Sequence, residues 1–432
     1  MNIDFTIIKT KIGKDVLVTF FSQMVIMLTF FVVNKILSNS LGVEGYGQYS
    51  IIKKNSAVIA MVMLGGMGIA LPRFFSFYRA KQNVTKANTI FIGSLLIVLA
   101  LSFFIFIMFS VFNHESETII TGVSHNSKLF YTTLLYSFSI CISSFLFSFY
   151  RGIGNFVKYN VSQIIIQVLI LISCFYEQKH LVNLLIIWSI STLIFTFLAF
   201  TKDTRNIFSL FFKTKRFTII QTSLKELVPY GLTRLVGDFV LFSFYALPLI
   251  FSNSKFGIRE TAFFSVGIMI SNMITPFFGF LGTVLLPYVS ENVANENHNQ
   301  IKKAVNNLMI IYTLISFIIC NTVFYFMDFF IKLLFNSEYL GASNMISIII
   351  WSVLPQAVYL LLRNPLDAIS KIPYNAINLI FSFSLMLLMF YKSTTIIELG
   401  YSFLISNFVL AVLSVLSWYL FYYRIASKQT TK

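Results

Sequence analysis

The sequence predicts an all-α integral membrane protein of about 12 transmembrane helices, in two six-helix lobes related by a pseudo-two-fold along the membrane normal. Of 432 residues, 57% are hydrophobic and only 11% are charged, against about 25% in a soluble domain, and the mean hydropathy is +0.81. Apolar stretches long enough to cross a bilayer recur along the whole chain. Short residue matches also recur between its two halves at one fixed spacing. These observations exclude a water-soluble globule and leave no length for a large soluble domain.

In chain order, Met1 to Asp15 carries Lys9, Lys11 and Lys14 among Ile3, Phe5, Ile7, Ile8 and Ile12, with no small-residue cleavage site after it. It predicts an uncleaved basic segment lying on the membrane surface. Six apolar spans follow at 16–36, 46–71, 89–112, 129–149, 157–175 and 181–200. A basic connection, 201–228, separates them from six more at 229–251, 261–286, 305–326, 342–362, 373–390 and 398–422. The expected domains are an N-terminal lobe at 1–200, a cytoplasmic linker at 201–228 and a C-terminal lobe at 229–432.

The net charge is +16, from 32 Lys and Arg against 16 Asp and Glu. In a soluble protein that excess would point to nucleic acid; here it follows topology, and no nucleic-acid partner is expected. With Lys53, Lys54 and Arg234 set aside as within spans and Lys35 and Lys158 counted with the adjoining connections, 22 Lys and Arg fall on the side that holds both termini and 7 on the other, which places both termini in the cytoplasm. Cys141, Cys174 and Cys320 sit in apolar stretches at no metal-ligand spacing and read as core residues.

The internal repeat has an ungapped offset of 215. It maps Gly42 to Gly257, Pro72 to Pro287, Ser50 to Ser265, Ser56 to Ser271, and Tyr159-Asn160 to Tyr374-Asn375. Two lobes of six helices share one orientation, so a cavity between them and alternating access are expected.

No catalytic constellation is present: His114, His125, His180 and His298 are scattered, and neither a nucleotide-binding glycine loop nor a metal-binding motif occurs. An ATP-driven pump on this chain alone is excluded. Gly65-Gly66-Met67-Gly68 reads as close helix packing, with a gating hinge as the alternative.

Charge within the spans is the informative signal, because it costs about 3 kcal/mol near the bilayer centre and tends to face a wet cavity. Asp238 lies nine residues past Pro229, roughly 14 Å into its helix, with Arg234 one turn before it. A structural ion pair and a role in coupling or substrate contact are both open. Lys53 and Lys54 lie about 10 Å into the second span. They read either as snorkelling to headgroups or as a cationic cavity patch for a phosphate- or diphosphate-bearing substrate. The repeat favours the patch, since the residues equivalent to these lysines are Ile268 and Met269. Gln23, Asn34, Asn272, Thr275 and Pro276 read as interhelical contacts or cavity lining. Arg151, Lys158, Arg363, Asp367 and Lys371 lie at repeat-related cytoplasmic turns and read as topology determinants, with a cytoplasmic gate of Arg151, Arg363 and Asp367 as the alternative.

Leu41-Gly42-Val43-Glu44-Gly45-Tyr46-Gly47-Gln48-Tyr49-Ser50 resembles the signature after the first helix of polysaccharide-export proteins in the MOP (MATE-like) transporter superfamily, especially Wzx-type O-antigen flippases. Asp238, the stretch from Phe264-Ser265 to Leu286-Pro287-Tyr288-Val289-Ser290-Glu291, and Arg151-Gly152-Ile153-Gly154 extend the resemblance over both lobes. It implies a flippase of the bacterial inner membrane, in lipopolysaccharide biosynthesis, that moves an undecaprenyl-diphosphate-linked oligosaccharide from the cytoplasmic to the periplasmic leaflet. Its expected partners are that lipid-linked oligosaccharide, membrane lipids, and polysaccharide polymerase and chain-length proteins. No cofactor is expected; proton or sodium coupling, through Asp238 or otherwise, and drive by membrane potential are open. Multidrug exporters of the superfamily often carry a coupling acid in the first helix, whereas 16–36 contains none. Lipid II flippases of the MurJ type are expected to carry two further helices beyond Tyr422. A membrane glycan polymerase or ligase is the enzyme alternative, and the short outer connections speak against it.

Overall fold

The computed structural model describes residues 11–124, 126–177, 180–214, 217–294, 298–335, 337–369 and 374–430, and these are nearly all helical. Most of the expected interfacial segment at the N-terminus lies outside them. The chain divides into two compact units, Met1–Ala246 and Leu247–Lys432.

The first unit holds α1 (Lys11–Leu64), α2 (Met67–Ala80), α3 (Val84–Val111), α4 (Asn113–Thr121), α5 (Ser127–Gly152), α6 (Phe156–Tyr176) and α7 (Leu181–Thr214), with α8 (Phe217–Phe256) as far as Ala246. The second holds the rest of α8, then α9 (Ile258–Ala294), α10 (His298–Tyr325), α11 (Met327–Leu334), a 3-10 turn (Ser337–Ala342), α12 (Ser343–Ile350), α13 (Val353–Ile369), α14 (Tyr374–Lys392) and α15 (Ile396–Thr430).

Ten helices among the described residues are long and apolar enough to cross a membrane. The first is two crossings in one. Phe30 and Lys53 would lie about 34 Å apart on a straight helix, yet the Lys53 Nζ is 3.7 Å from the centre of the Phe30 ring. The helix folds back at Gly42, whose φ of 69° an L side chain avoids. With α1 counted as two legs and the 37-residue α9 added, twelve crossings match the expected spans.

The repeat governs the order of elements. Helix starts recur 214 to 218 residues apart: 84 and 298, 113 and 327, 127 and 343, 156 and 374, 181 and 396. Gly257, 215 residues after Gly42, also has positive φ, 86°. The halves differ in two places. The second crossing breaks at Gly65 and Gly66 (φ 58° and 74°), where α1 passes to α2, while α9 is continuous. Conversely α5 is continuous while its counterpart is interrupted at Trp351–Ser352 between α12 and α13.

Within the first unit, α1 packs on α5 and α6, α5 on α7, and α2 on α3 and α5. Phe91 at the core contacts the rings of Phe145, Phe149, Phe200 and Phe208. In the second unit α9 packs on α13, and α13 on α10 and α15. Cys141, Cys174 and Cys320 are free and buried, as their apolar neighbours imply. The outward faces are apolar: Phe103 is 68% exposed on α3 and Ile318 is 61% exposed on α10. Such surface is stable against hydrocarbon and unstable against water.

The connection at 201–228 is helical on both sides of residues 215 and 216, continuing α7 and beginning α8. Its polar composition conceals the reason. Ile207, Ile220 and Leu227 are buried in the core of the first unit, and their burial holds these turns in helical form.

Candidate functional site

The second leg of α1 carries the two lysines, and both are half-buried. Lys53 donates to the Tyr49 hydroxyl at 2.9 Å and lies over the Phe30 ring. Lys54 lies 5.7 Å from the centre of the Tyr245 ring on α8. Phe30 and Tyr245 are themselves 215 residues apart, so two adjacent ammoniums rest on the same aromatic position of the two repeats.

Behind Lys53 the wall is aromatic and fixed. The Tyr46 hydroxyl and Asn34 Oδ1 are hydrogen-bonded at 3.1 Å. Tyr49 and Tyr136 both pack on Trp188, whose indole N–H donates to Ser173 Oγ at 2.6 Å. Next to the lysines, Asn55 donates to the carbonyls of Ile119 and Ile120 on α4, anchoring this turn of α1. Ring faces attract an ammonium by about 0.5–2 kcal/mol each. Among the described residues no carboxylate lies within ion-pair distance of either lysine; the two ion pairs there are Lys86–Glu226 and Lys158–Asp203. Among the described residues the pair is thus two adjacent ammoniums with no paired carboxylate.

Tyr245 belongs to a seven-residue series on α8. Gly231, Asp238 and Tyr245 fall on one helix face, two turns apart. Gly231 crosses the break between α1 and α2 so closely that a Cβ on Gly66 would lie 2.3 Å from the Gly231 carbonyl oxygen. The glycine run is thus both a helix break and a backbone-to-backbone contact. The half-buried Asp238 is midway between this crossing and the Tyr245–Lys54 contact, on the same face. The backbone of Arg234 lies on α8, and its side chain is outside the described residues.

The other candidates are dispersed. Arg151 is exposed; its guanidinium donates to the Gly68 carbonyl at 2.8 Å and to Ser148 Oγ at 3.3 Å, bracing the start of α2 against α5. Arg363 on α13 is half-buried, and its carbonyl accepts from Asn375 Nδ2 at 2.7 Å. The side chain of Asp367 is outside the described residues. Gln23 bonds Gln163 at 2.9 Å between α1 and α6, Asn34 bonds Tyr46 between the legs of α1, and Thr275 bonds the Ser271 carbonyl. These polar residues serve as contacts within and between helices. Sequence reasoning missed Phe30, Tyr49 and Tyr245. The repeat offset marks the first and last of them, but aromatic residues are so abundant here, 50 Phe and 21 Tyr, that no ring stands out by type.

Residues 12–293 match the family of polysaccharide biosynthesis proteins. The chain belongs to that family. Residues 235–392 also match the MatE family. Among solved structures, the protein is similar to an inward-facing multidrug resistance MATE family transporter of the MOP superfamily, at 13% identity, TM-score 0.74, and 94% and 96% coverage of the two chains. It is similar to the lipid II flippase MurJ in an inward closed conformation, at 15% identity, TM-score 0.66, and 93% and 86% coverage. A MOP superfamily transporter from Pyrococcus furiosus aligns at 13% identity and TM-score 0.62, over 96% of each chain. No curated protein matches. At these identities the likeness to solved structures shows the fold, which this family member shares with the MATE family transporter and MurJ.

Proposed function

We propose that the protein flips an undecaprenyl-diphosphate-linked oligosaccharide, an O-antigen repeat unit, from the cytoplasmic to the periplasmic leaflet of the bacterial inner membrane by alternating access, with both termini in the cytoplasm. The observation that carries this reading is the lysine pair: two adjacent ammoniums, seated on aromatic rings with no carboxylate paired to them among the described residues. A diphosphate neutralises both at once. The polyprenyl chain remains in the bilayer while the head group crosses.

Deleting the gene and probing spheroplasts and inverted vesicles with an impermeant glycan-modifying reagent tests the reading. The expected result is lipid-linked sugar accumulating on the cytoplasmic leaflet. Unpolymerised units exposed on the periplasmic leaflet would indicate a block after flipping and overturn it.

The MatE match over 235–392 favours a second reading, a cation-coupled multidrug exporter. Electrostatics separates the two, because an uncompensated lysine pair attracts a diphosphate and repels a cationic drug. Coupling is assigned to Asp238, the half-buried acid on the α8 face that also carries Tyr245. Asp238→Asn is then expected to transport without the pH or sodium dependence of the parent, measured in vesicles with imposed gradients. If that dependence is fully retained, the drive lies elsewhere, in the membrane potential or another acid.

A further inference from the structure

One turn motif occurs twice in the first unit. Tyr78-Arg79-Ala80-Lys81-Gln82-Asn83-Val84-Thr85-Lys86 joins α2 to α3, and Tyr150-Arg151-Gly152-Ile153-Gly154-Asn155-Phe156-Val157-Lys158 joins α5 to α6. The two share Tyr, Arg, Asn and Lys at equal spacing, and their geometry is the same. The residue before each Asn has positive φ, 58° at Gln82 and 71° at Gly154. Each Asn N–H donates to the Tyr carbonyl, at 2.9 and 3.0 Å, and each Asn Oδ1 caps the next helix by accepting from the Lys N–H at 3.0 Å. The cap brings the Tyr hydroxyl and the Lys ammonium to one point, where they hold the two oxygens of a single carboxylate. Tyr78 and Lys86 hold Glu226 at 2.7 and 2.6 Å. Tyr150 and Lys158 hold Asp203 at 2.8 and 2.5 Å.

Asp203 and Glu226 are the only two acids between residues 201 and 228, the connection between the repeats. The duplicated turn thus grips that connection once near each end. Glu226 lies nine residues into α8. Five residues on, Gly231 crosses Gly66; nineteen residues on, about 28 Å by helical rise, Tyr245 covers Lys54. A helix gripped at Glu226 and crossing a backbone contact without side chains five residues on is a lever whose far end is set by the grip.

We infer that the Tyr78–Lys86 turn is a carboxylate clamp on Glu226 that sets the placement of α8 and thereby seats Tyr245 on Lys54, while the Tyr150–Lys158 turn fastens the other end of the connection through Asp203. Tyr78, Lys86 and Glu226 are positioning residues, acting on the lysine site through the helix. The clamp persists at neutral pH: burial raises the Glu226 carboxyl, but the hydrogen bonds from Lys86 and Tyr78 outweigh it and hold it below the ordinary Glu range. It is lost only as pH falls through that lowered value.

The inference concerns the site on which the proposed function rests, and its test reads proximity rather than transport, so either fails without the other. In the full chain with Cys141, Cys174 and Cys320 replaced by Ala, Lys54→Cys and Tyr245→Cys are cross-linked in membranes with a short bismaleimide. Adding Glu226→Gln is expected to lower the cross-linked fraction roughly fivefold, a modest coupling between sites. Reversing the charges, Lys86→Glu with Glu226→Lys, is expected to restore it. If Glu226→Gln reduces the amount of inserted protein, Tyr78→Phe with Lys86→Gln makes the same measurement. An unchanged cross-linked fraction in inserted protein would overturn the inference. The burial of Leu227 and the 3.2 Å hydrogen bond of Ser223 to Thr89 would then suffice to place the helix.

Discussion

Replacing Lys53 and Lys54 together by alanine is expected to lower transport of the lipid-linked sugar by roughly a hundredfold to ten-thousandfold while the protein still inserts. The magnitude follows from two charge-assisted contacts to the diphosphate at roughly 1.5–3 kcal/mol each, with about 1.4 kcal/mol per factor of ten. Insertion is spared because each removal also relieves the cost of placing a charge in the bilayer. What is lost locally is small: one hydrogen bond to Tyr49 and the contacts with Phe30 and Tyr245. The single variants divide the effect. Lys54 has a ring beneath it and no hydrogen bond among the described residues, whereas Lys53 is tied to Tyr49. Lys54→Ala should therefore lose more transport than Lys53→Ala. Quantifying periplasmic glycan against membrane-inserted protein in a complemented deletion strain checks both. Wild-type transport in the double variant would remove the lysines from the site.

The second large effect concerns stability. Gly66→Ala is expected to destabilise the protein by about 2–4 kcal/mol, because an L residue at φ 74° costs about 1–2 kcal/mol and the overlap with Gly231 adds a similar amount. Gly231→Ala meets the same crossing from the other side, with the Gly65 oxygen 2.7 Å from the added carbon. Gly93 is the control. It lies within α3 and its added Cβ has no neighbour closer than 3.4 Å, so Gly93→Ala should be neutral or slightly stabilising. Thermal unfolding of detergent-solubilised protein measures all three. A Gly66→Ala melt equal to that of the parent would mean that the crossing yields without strain.

Much of this was legible in the sequence, for identifiable reasons. Apolar spans follow from bilayer thickness, so all twelve crossings could be located. The offset of 215 survives in residues with a backbone role, Gly42 and Gly257, because both must adopt positive φ where the chain turns. The lysines stood out because charge is rare inside the spans. Their companions did not, since Phe30 and Tyr245 are two rings among dozens and gain meaning only when folding brings them to Lys53 and Lys54. Gly65 and Gly66 were visible as a small-residue run, but their partner Gly231 lies 165 residues beyond Gly66 and shares no local pattern with it. The clamps were half legible. The Tyr, Asn and Lys spacing is written twice in the chain, whereas the acids they hold, Glu226 and Asp203, sit at unrelated distances and are chosen by tertiary packing. The connection at 201–228 shows the same limit: its bases advertise a surface loop, while the three apolar residues that keep it helical are spaced too widely to read as a face.

The most direct test of the central claim is to reconstitute the purified protein into vesicles loaded asymmetrically with an undecaprenyl-diphosphate-linked oligosaccharide and follow the fraction reached by an impermeant glycan-modifying enzyme. The parent protein is predicted to make the hidden pool accessible within the assay, and the Lys53→Ala, Lys54→Ala double variant, present in equal amount, to leave it hidden. A hidden pool that stays inaccessible with the parent protein, in vesicles where the same preparation exports a cationic drug, would contradict the account.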